Sequence, residues 1–509
     1  NFTWAQVDAL GASSDNNVTV AASTQIIGGN LVIKAGSRAT HTLTLASGVS
    51  ASGNVRVESL GNLSIQGNLS TTTGSLSALA GATLSLGGTA TVTALATGAS
   101  VDFLAGSAGL SMQNGATVQA AATARLQSAG DMSLARVEAN QVGLIATGVI
   151  SDAQAASATT ANIVTQQLSM QAAGLGQQTN ALELNTPLFS INAGASGAYV
   201  NTVGDVTLGT TSAMSASRID LSGTTTTAPS VAAQSGLTST GAVVWTNTNT
   251  LGNDVIIANA ISGQSTVSVS TGGDLVMNAN LSATGGALLH AGHDLSLSQI
   301  TATAGSVVLD VGAQLVDGDA NVDVIAQGLH IHTAATQGVG SAGDELEIQV
   351  DTLSVDAGSG GVYIRESNAL TVGRVNAMGV DHTGIDALGA VRIINDTGAL
   401  SVDTIHASTA EVTLTATAGS ILATGSGLVQ AQTLHLLTAN SGSVGTASAA
   451  LNTQASTMDM DVGSGGAYVQ QTGALTLSNA NVRGVLQLSA AGSLTAPTIT
   501  ATGAVTLTV

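Results

Sequence analysis

The sequence predicts an all-β chain wound into a parallel β-helix (β-solenoid) of about 20 residues per coil, and three observations predict it. Apolar residues alternate with Ser, Thr and Asn in short runs broken by Gly-Asp or Gly-Asn, the pattern of half-buried strands separated by tight turns. Leu275, Leu295 and Leu315 occupy corresponding positions 20 residues apart, and Leu63 and Leu84 are 21 apart. A Gly-rich motif recurs with all three tyrosines of the chain at one place in it: GASGAYV at 194–200, GSGGVYI at 358–364 and GSGGAYV at 463–469.

In chain order, the strand-turn-strand phrase appears as VRVESLGNLSI (55–65), LSALAGATLSL (76–86), ARLQSAGDMSL (124–134), VSVSTGGDLVM (267–277) and LLHAGHDLSL (288–297). Each is expected to turn Val, Leu, Ile and Ala inward and Thr, Ser, Asn and Gln outward. Stacked at the inter-strand spacing of about 4.8 Å, roughly 25 such coils would follow one another. Pro187, Pro229 and Pro497 are expected at bends, because a central strand cannot spare its N–H.

A module of about 68 residues covers approximately 142–209, 307–374 and 412–479, within one continuous solenoid over 1–509. A glycine lies 23 residues before each tyrosine (Gly176, Gly340, Gly445), and GDVTL (204–208), NALTV (368–372) or GALTL (473–477) closes each copy. His330 matches His435 at the 105-residue offset that relates Tyr363 to Tyr468. The spacers between copies differ in length, and IINDTGALSV (393–402) repeats the closing phrase alone.

Composition narrows the function classes. With 62 Gly, 3 Pro, no Cys, 2% aromatic and 8% charged residues, yet 44% hydrophobic and a mean hydropathy of +0.38, the chain is too apolar for disorder. Its core must be narrow, because few rings are available to fill it. A net charge of -20 with ten basic residues excludes nucleic acid as a partner, since phosphate binding needs clustered cations. Apolar stretches such as VGLIATGVI (142–150) are too short to span a bilayer, so no membrane insertion by this segment is expected. The absence of cysteine fits an exported protein. The opening NFTWAQVDAL has no signal-peptide pattern and the closing GAVTLTV ends on a strand pattern, so a fragment of a longer chain is expected.

The GDL, GNL and GAL turns, with the Gly-rich phrase ahead of NTVGDVTL, ESNALTV and QTGALTL, resemble the central repeat regions of filamentous-haemagglutinin-like large bacterial adhesins. That resemblance implies a right-handed parallel β-helix, secreted to the outer surface of a Gram-negative bacterium and working in attachment or biofilm matrix cohesion. Its partner would be an extracellular ligand such as an exopolysaccharide or another cell-surface component, or other copies of itself. The family's N-terminal secretion domain with its NPN-type motif, and a C-terminal anchor, are not found in the sequence. The alternative is a self-assembling filament or sheath subunit, because an uncapped solenoid end is an unpaired strand edge.

Candidate chemistry is sparse. Tyr199, Tyr363 and Tyr468 are read as large residues filling a wide coil, with Gly360 and Gly465 at positive φ; the competing reading makes the rings ligand-stacking platforms. In VDGDANVDV (316–324), Asp317, Asp319, Asn321 and Asp323 alternate like the start of an EF-hand loop. Val322 stands where that loop needs Gly, and Gly328 where it needs Glu. Read as a strand, those four side chains face solvent. A second acidic cluster, Asp344, Glu345, Glu347 and Asp351, is treated alike, so melts in chelator and in calcium are expected to coincide. His330 and His332 share one strand face but lack an identifiable third ligand, and are read as surface histidines; His290 and His293 are read as turn residues. An enzyme of the polysaccharide lyase or hydrolase kind would need paired carboxylates beside aromatics. None of Phe2, Trp4, Phe103, Phe189 and Trp245 neighbours an acidic cluster. The chain is therefore read as non-enzymatic, with no catalytic, cofactor or metal residues assigned.

Overall fold

The computed structural model describes residues 4–9, 17–35, 38–156, 160–250, 254–377 and 379–509; Phe2, named above, lies outside them. A run such as Val55–Ser59 has one apolar face, so it buries Val55, Val57 and Ser59 and turns Arg56 and Glu58 outward. Its counterparts on neighbouring coils do the same, and each pairs in parallel with the next. One inner column runs Leu43, Leu63, Leu84, Leu110, Met132, Ile150. The result is an all-β parallel β-solenoid with about 22 residues per turn and no helix among the described residues. Where no arm is inserted, coil length varies from 18 residues (Met132 to Ile150) to 26 (Leu84 to Leu110), because the corners absorb extra chain while the strands keep register. The sequence spacing of 20 holds for Leu275, Leu295 and Leu315, near the short end of that range.

By contact, the chain divides into two compact units, Asn1–Asn249 with Asn253–Ser265, and Thr250–Gly252 with Thr266–Val509. The first holds the large rings: Phe103, Phe189 and Trp245 are fully buried. Phe189 and Trp245 meet edge to face at 4.9 Å, and Trp245 Nε1 donates to Thr202 Oγ1 at 2.8 Å. The second unit fills its interior with aliphatic columns such as Val391, Val412, Leu434, Met458, Leu477.

The Gly-Asn and Gly-Asp turns have a specific task. Where the chain rounds a corner, a backbone N–H on the next coil would lose its ladder partner. The turn side chain supplies it: Asn30 Oδ1 accepts from Asn54 N, and Asn54 Oδ1 from Ser75 N. In the second unit Asp274 Oδ1 accepts from Asp294 N at 3.0 Å, and Asp294 Oδ1 from Gln314 N at 2.8 Å. Pro187, Pro229 and Pro497 all lie outside strands, as expected.

Unequal spacers between the repeats become hairpin arms. Phe189 pairs with Leu208 and Ile191 with Leu237, so residues 209–236 leave the ladder between them. Leu353 pairs with Val372 and Val355 with Ile385, releasing 373–384. At the third equivalent point Met458 pairs with Leu477 and Asp459 with Asn479, and only Ser478 is extra. Each arm is closed at its base by a glycine pair, Gly236 N to Gly209 O at 3.0 Å and Gly384 N to Gly373 O at 2.9 Å. The first arm is antiparallel and lies on the outer face of earlier coils of its unit, burying Met214, Ala216, Ile219 and Val231. Gly143 makes room for it, since a Cβ there would come within 2.5 Å of Val231 Cγ2. Asp102, wholly buried, bridges Arg125 on the next coil (2.7 Å) and Arg218 of the arm (2.6 Å). The second arm pairs Arg374–Ala377 with Val380–Thr383 and packs Val375 and Ala377 on Val308.

Candidate functional site

The tyrosines do not fill the coils. Strands Ala198–Thr202, Gly361–Glu366 and Gly466–Gln471 place Tyr199, Tyr363 and Tyr468 at half-buried outward positions, while Ala198 and Val200, Val362 and Ile364, and Ala467 and Val469 take the interior. Period-two alternation decides this, because the ring's two neighbours are both inward. Backbone strain falls on other glycines than Gly360 and Gly465: Gly361 and Gly466 carry the positive φ, +84° and +83°, and Gly360 is required by close approach to the backbone of Gly338. Gly176, Gly340 and Gly445 adopt φ of +61°, +61° and +60°. A Cβ on any of them would lie within 2.5 Å of the carbonyl oxygen of Tyr199, Tyr363 or Tyr468 on the next coil. That contact explains the fixed interval of 23 residues.

Three residues beyond each tyrosine the side chain turns inward again, as Thr202, Glu366 or Gln471, all buried. Gln471 satisfies an interrupted ladder, its Oε1 accepting from Ala455 N and its Nε2 donating to Ala455 O. Glu366 holds the equivalent place, accepting from Val350 N and Asn368 N, each at 2.9 Å. Burial pushes its carboxyl up to about 7 despite those bonds.

The two acidic clusters named from the sequence meet. Residues 317–323 form a loop after Leu315–Val316, not a strand. Asp319 and Asn321 are exposed as expected, but Asp323 is only 5% exposed and Asp317 is half-buried. Asp323 N donates to Glu347 O at 2.8 Å, drawing the loop onto strand Leu346–Ala357 of the next coil. Carboxylate oxygens of Asp317, Asp323 and Glu347 then lie within 4.8 Å of one another. Asp317 Oδ2, Asp323 Oδ2 and Glu347 Oε2 are buried with no hydrogen-bond partner. Burial, then the charges of Asp317 and Glu347, raises Asp323 to about 8; Glu347 is raised too, by burial and by Asp317. Asp344 adds to the negative field, Glu345 is held by Arg392 at 3.1 Å, and Asp351 is exposed outside the group.

A second feature was hidden by sequence distance. His290, Asp310, His332, Asp356, Asp386 and His406 stand in one outward column on successive coils. His290 and His332 bond Asp310 through Nδ1 at 2.7 and 2.8 Å, and His406 bonds Asp386 at 2.9 Å. Burial opposes the charge on Asp310, but the two imidazoles hold it below the usual carboxylate range. His290 is thus a strand residue within Gly286–Ala291, unlike His293, which is in the turn. His330 is no surface residue either. It is 3% exposed beneath His382 of the second arm, the rings stacked at 3.5 Å and 16°. Burial, then the nearby His382 charge, lowers it to about 4.

Two further groups could hold a metal by distance, His330 with Asp356 and His382, and Asp274 with His293 and Asp294. In the first, near-parallel rings aim their in-plane lone pairs side by side instead of at one point. In the second, Asp274 Oδ1 already accepts from His293 Nδ1 at 2.6 Å and from Asp294 N at 3.0 Å. The carboxylate triad alone offers three unengaged oxygens. No protein-family model matches the chain, and the comparisons with curated proteins and with solved structures gave no match.

Proposed function

We propose that the protein is a non-enzymatic extracellular adhesin stalk of a Gram-negative bacterium, mediating attachment or biofilm matrix cohesion. One observation supports this reading most. At the same point of the repeat the ladder releases residues 209–236, residues 373–384 or Ser478 alone, and resumes in register each time. A framework that keeps its core while its outward decoration varies suits the display of binding surfaces. The small polar outer positions and the charge of -20 favour mutual repulsion of neighbouring molecules at low salt. The resemblance of the Gly-Asp and Gly-Asn turn phrases to filamentous-haemagglutinin-like repeats points the same way.

The test is the length of the parent gene product together with electron microscopy of the native cell surface. A very long chain bearing a secretion domain and seen as single thin fibres is the expected result. A short chain that builds ordered polymers of fixed repeat would establish a filament or sheath subunit instead.

A further inference from the structure

We propose that Asp317, Asp323 and Glu347 form a binding site for a hard divalent cation of the calcium type, which staples the loop 317–323 to strand Leu346–Ala357 of the next coil. The donors are all carboxylate oxygens, the set that selects hard cations over zinc or copper. Their oxygens lie within 4.8 Å of one another, no farther than twice a calcium–oxygen bond of about 2.4 Å, a spacing at which one ion can sit among them.

The case does not rest on acidity alone. Asp323 is 5% exposed, its carboxylate stands in the cluster, and its Oδ2 is buried without a hydrogen-bond partner; the Asp317 and Glu347 carboxyls lie against each other beside it. A buried anion is retained only when something neutralises it. The charged groups facing the cluster, Asp319 and Asp344, are also acidic. Arg365, whose charge is felt by Glu347, is engaged by Asp396 at 2.8 Å. The EF-hand template fails at Val322 and Gly328 because this site is not a linear loop: one ligand comes from the following coil. Calcium sites take six to eight oxygens, so solvent on the Asp317 side would complete the shell. This inference does not depend on the stalk reading.

The 509-residue chain, stripped with EDTA at pH 7.5, should bind one calcium ion at this site by calorimetry and melt several degrees higher with calcium than without. Hydrogen exchange of residues 317–323 should slow. Asp323→Asn and Glu347→Gln should each weaken binding by about tenfold or more, since carboxylate count sets affinity. Each also removes a buried charge, so neither should melt below the parent in EDTA. Asp351→Asn, exposed outside the cluster, should bind as the parent does. Undiminished calcium binding in Asp323→Asn overturns the proposal, as does binding of zinc but not calcium. A melt at pH 7.5 that calcium and magnesium both leave unchanged would show that the cluster is neutralised without a cation, and would also overturn it.

Discussion

Glu366 and Gln471 occupy equivalent inward positions with different consequences. Both meet a backbone N–H that the interrupted ladder leaves over, but the glutamate must hold a proton to do so without a buried charge. Its carboxyl, raised to about 7, favours the folded state fully below its unfolded value of about 4.5, and that contribution is lost as pH rises through 7. Glu366→Gln should therefore stabilise the chain at pH 8, by at most about 3 kcal/mol, and change little at pH 4. Denaturant titration at the two pH values reads the difference. Gly340→Val faces both a left-handed φ and the Tyr363 carbonyl. It should cost about 2 kcal/mol or more, seen as faster hydrogen exchange around Leu346. Tyr363→Ala removes a half-buried outward ring and should cost only about 1 kcal/mol, whereas Trp245→Ala should cost about 3–5 kcal/mol.

The arms show how one element can be exchanged without disturbing its host. Replacing residues 373–384 by a single serine, as at Ser478, should leave the strand content of the second unit unchanged by circular dichroism. It would uncover His330. Burial and His382 lower that imidazole to about 4, so its pKa should climb toward the ordinary value of about 6.5 in an NMR titration. In the third repeat the matching residue is His435, half-buried against Asp459 with no arm above it. The first arm depends more on electrostatics, because Asp102 is buried between two guanidinium groups. Asp102→Ala strands both, should cost about 3 kcal/mol or more, and should expose residues 209–236 to limited proteolysis.

The molecule as a whole carries a charge of -20, and several carboxyls lie where ionisation is costly. Glu183 is raised to about 7 by burial and by Asp152, as Glu366 is by burial. Both bind more protons folded than unfolded between about pH 4.5 and 7, so stability falls as pH rises through that window. His330 acts oppositely: being lowered, it gains stability as pH rises from about 4 to 6.5. Above 6.5 that opposition ends, and the melting temperature in EDTA should decline most clearly between pH 6.5 and 8. A shallower profile in the Glu183→Gln, Glu366→Gln double variant would assign that share of the slope to these two groups, the rest belonging to Asp323 and Glu347, which are raised as well.

The sequence by itself determined the parallel β-solenoid, the inward set, the corners and the identity of repeat positions. Those follow from short-range rules: alternation of two, Gly-Asp or Gly-Asn at the breaks, and a coil period visible as Leu275, Leu295 and Leu315. It also singled out Asp317, Asp323, Glu347 and His330, but assigned Asp317, Asp323 and His330 to the surface and gave Glu347 no role. Which side chains meet was decided by tertiary structure alone, because a solenoid sets residues of successive coils about 4.8 Å apart across intervals that the corners make unequal. Glu347 reaches Asp323 from the following coil, and His330 is buried only because an arm from residues 373–384 folds back over it. The tyrosines, distinctive in sequence, sit outward because one residue of register separates the two faces of a strand.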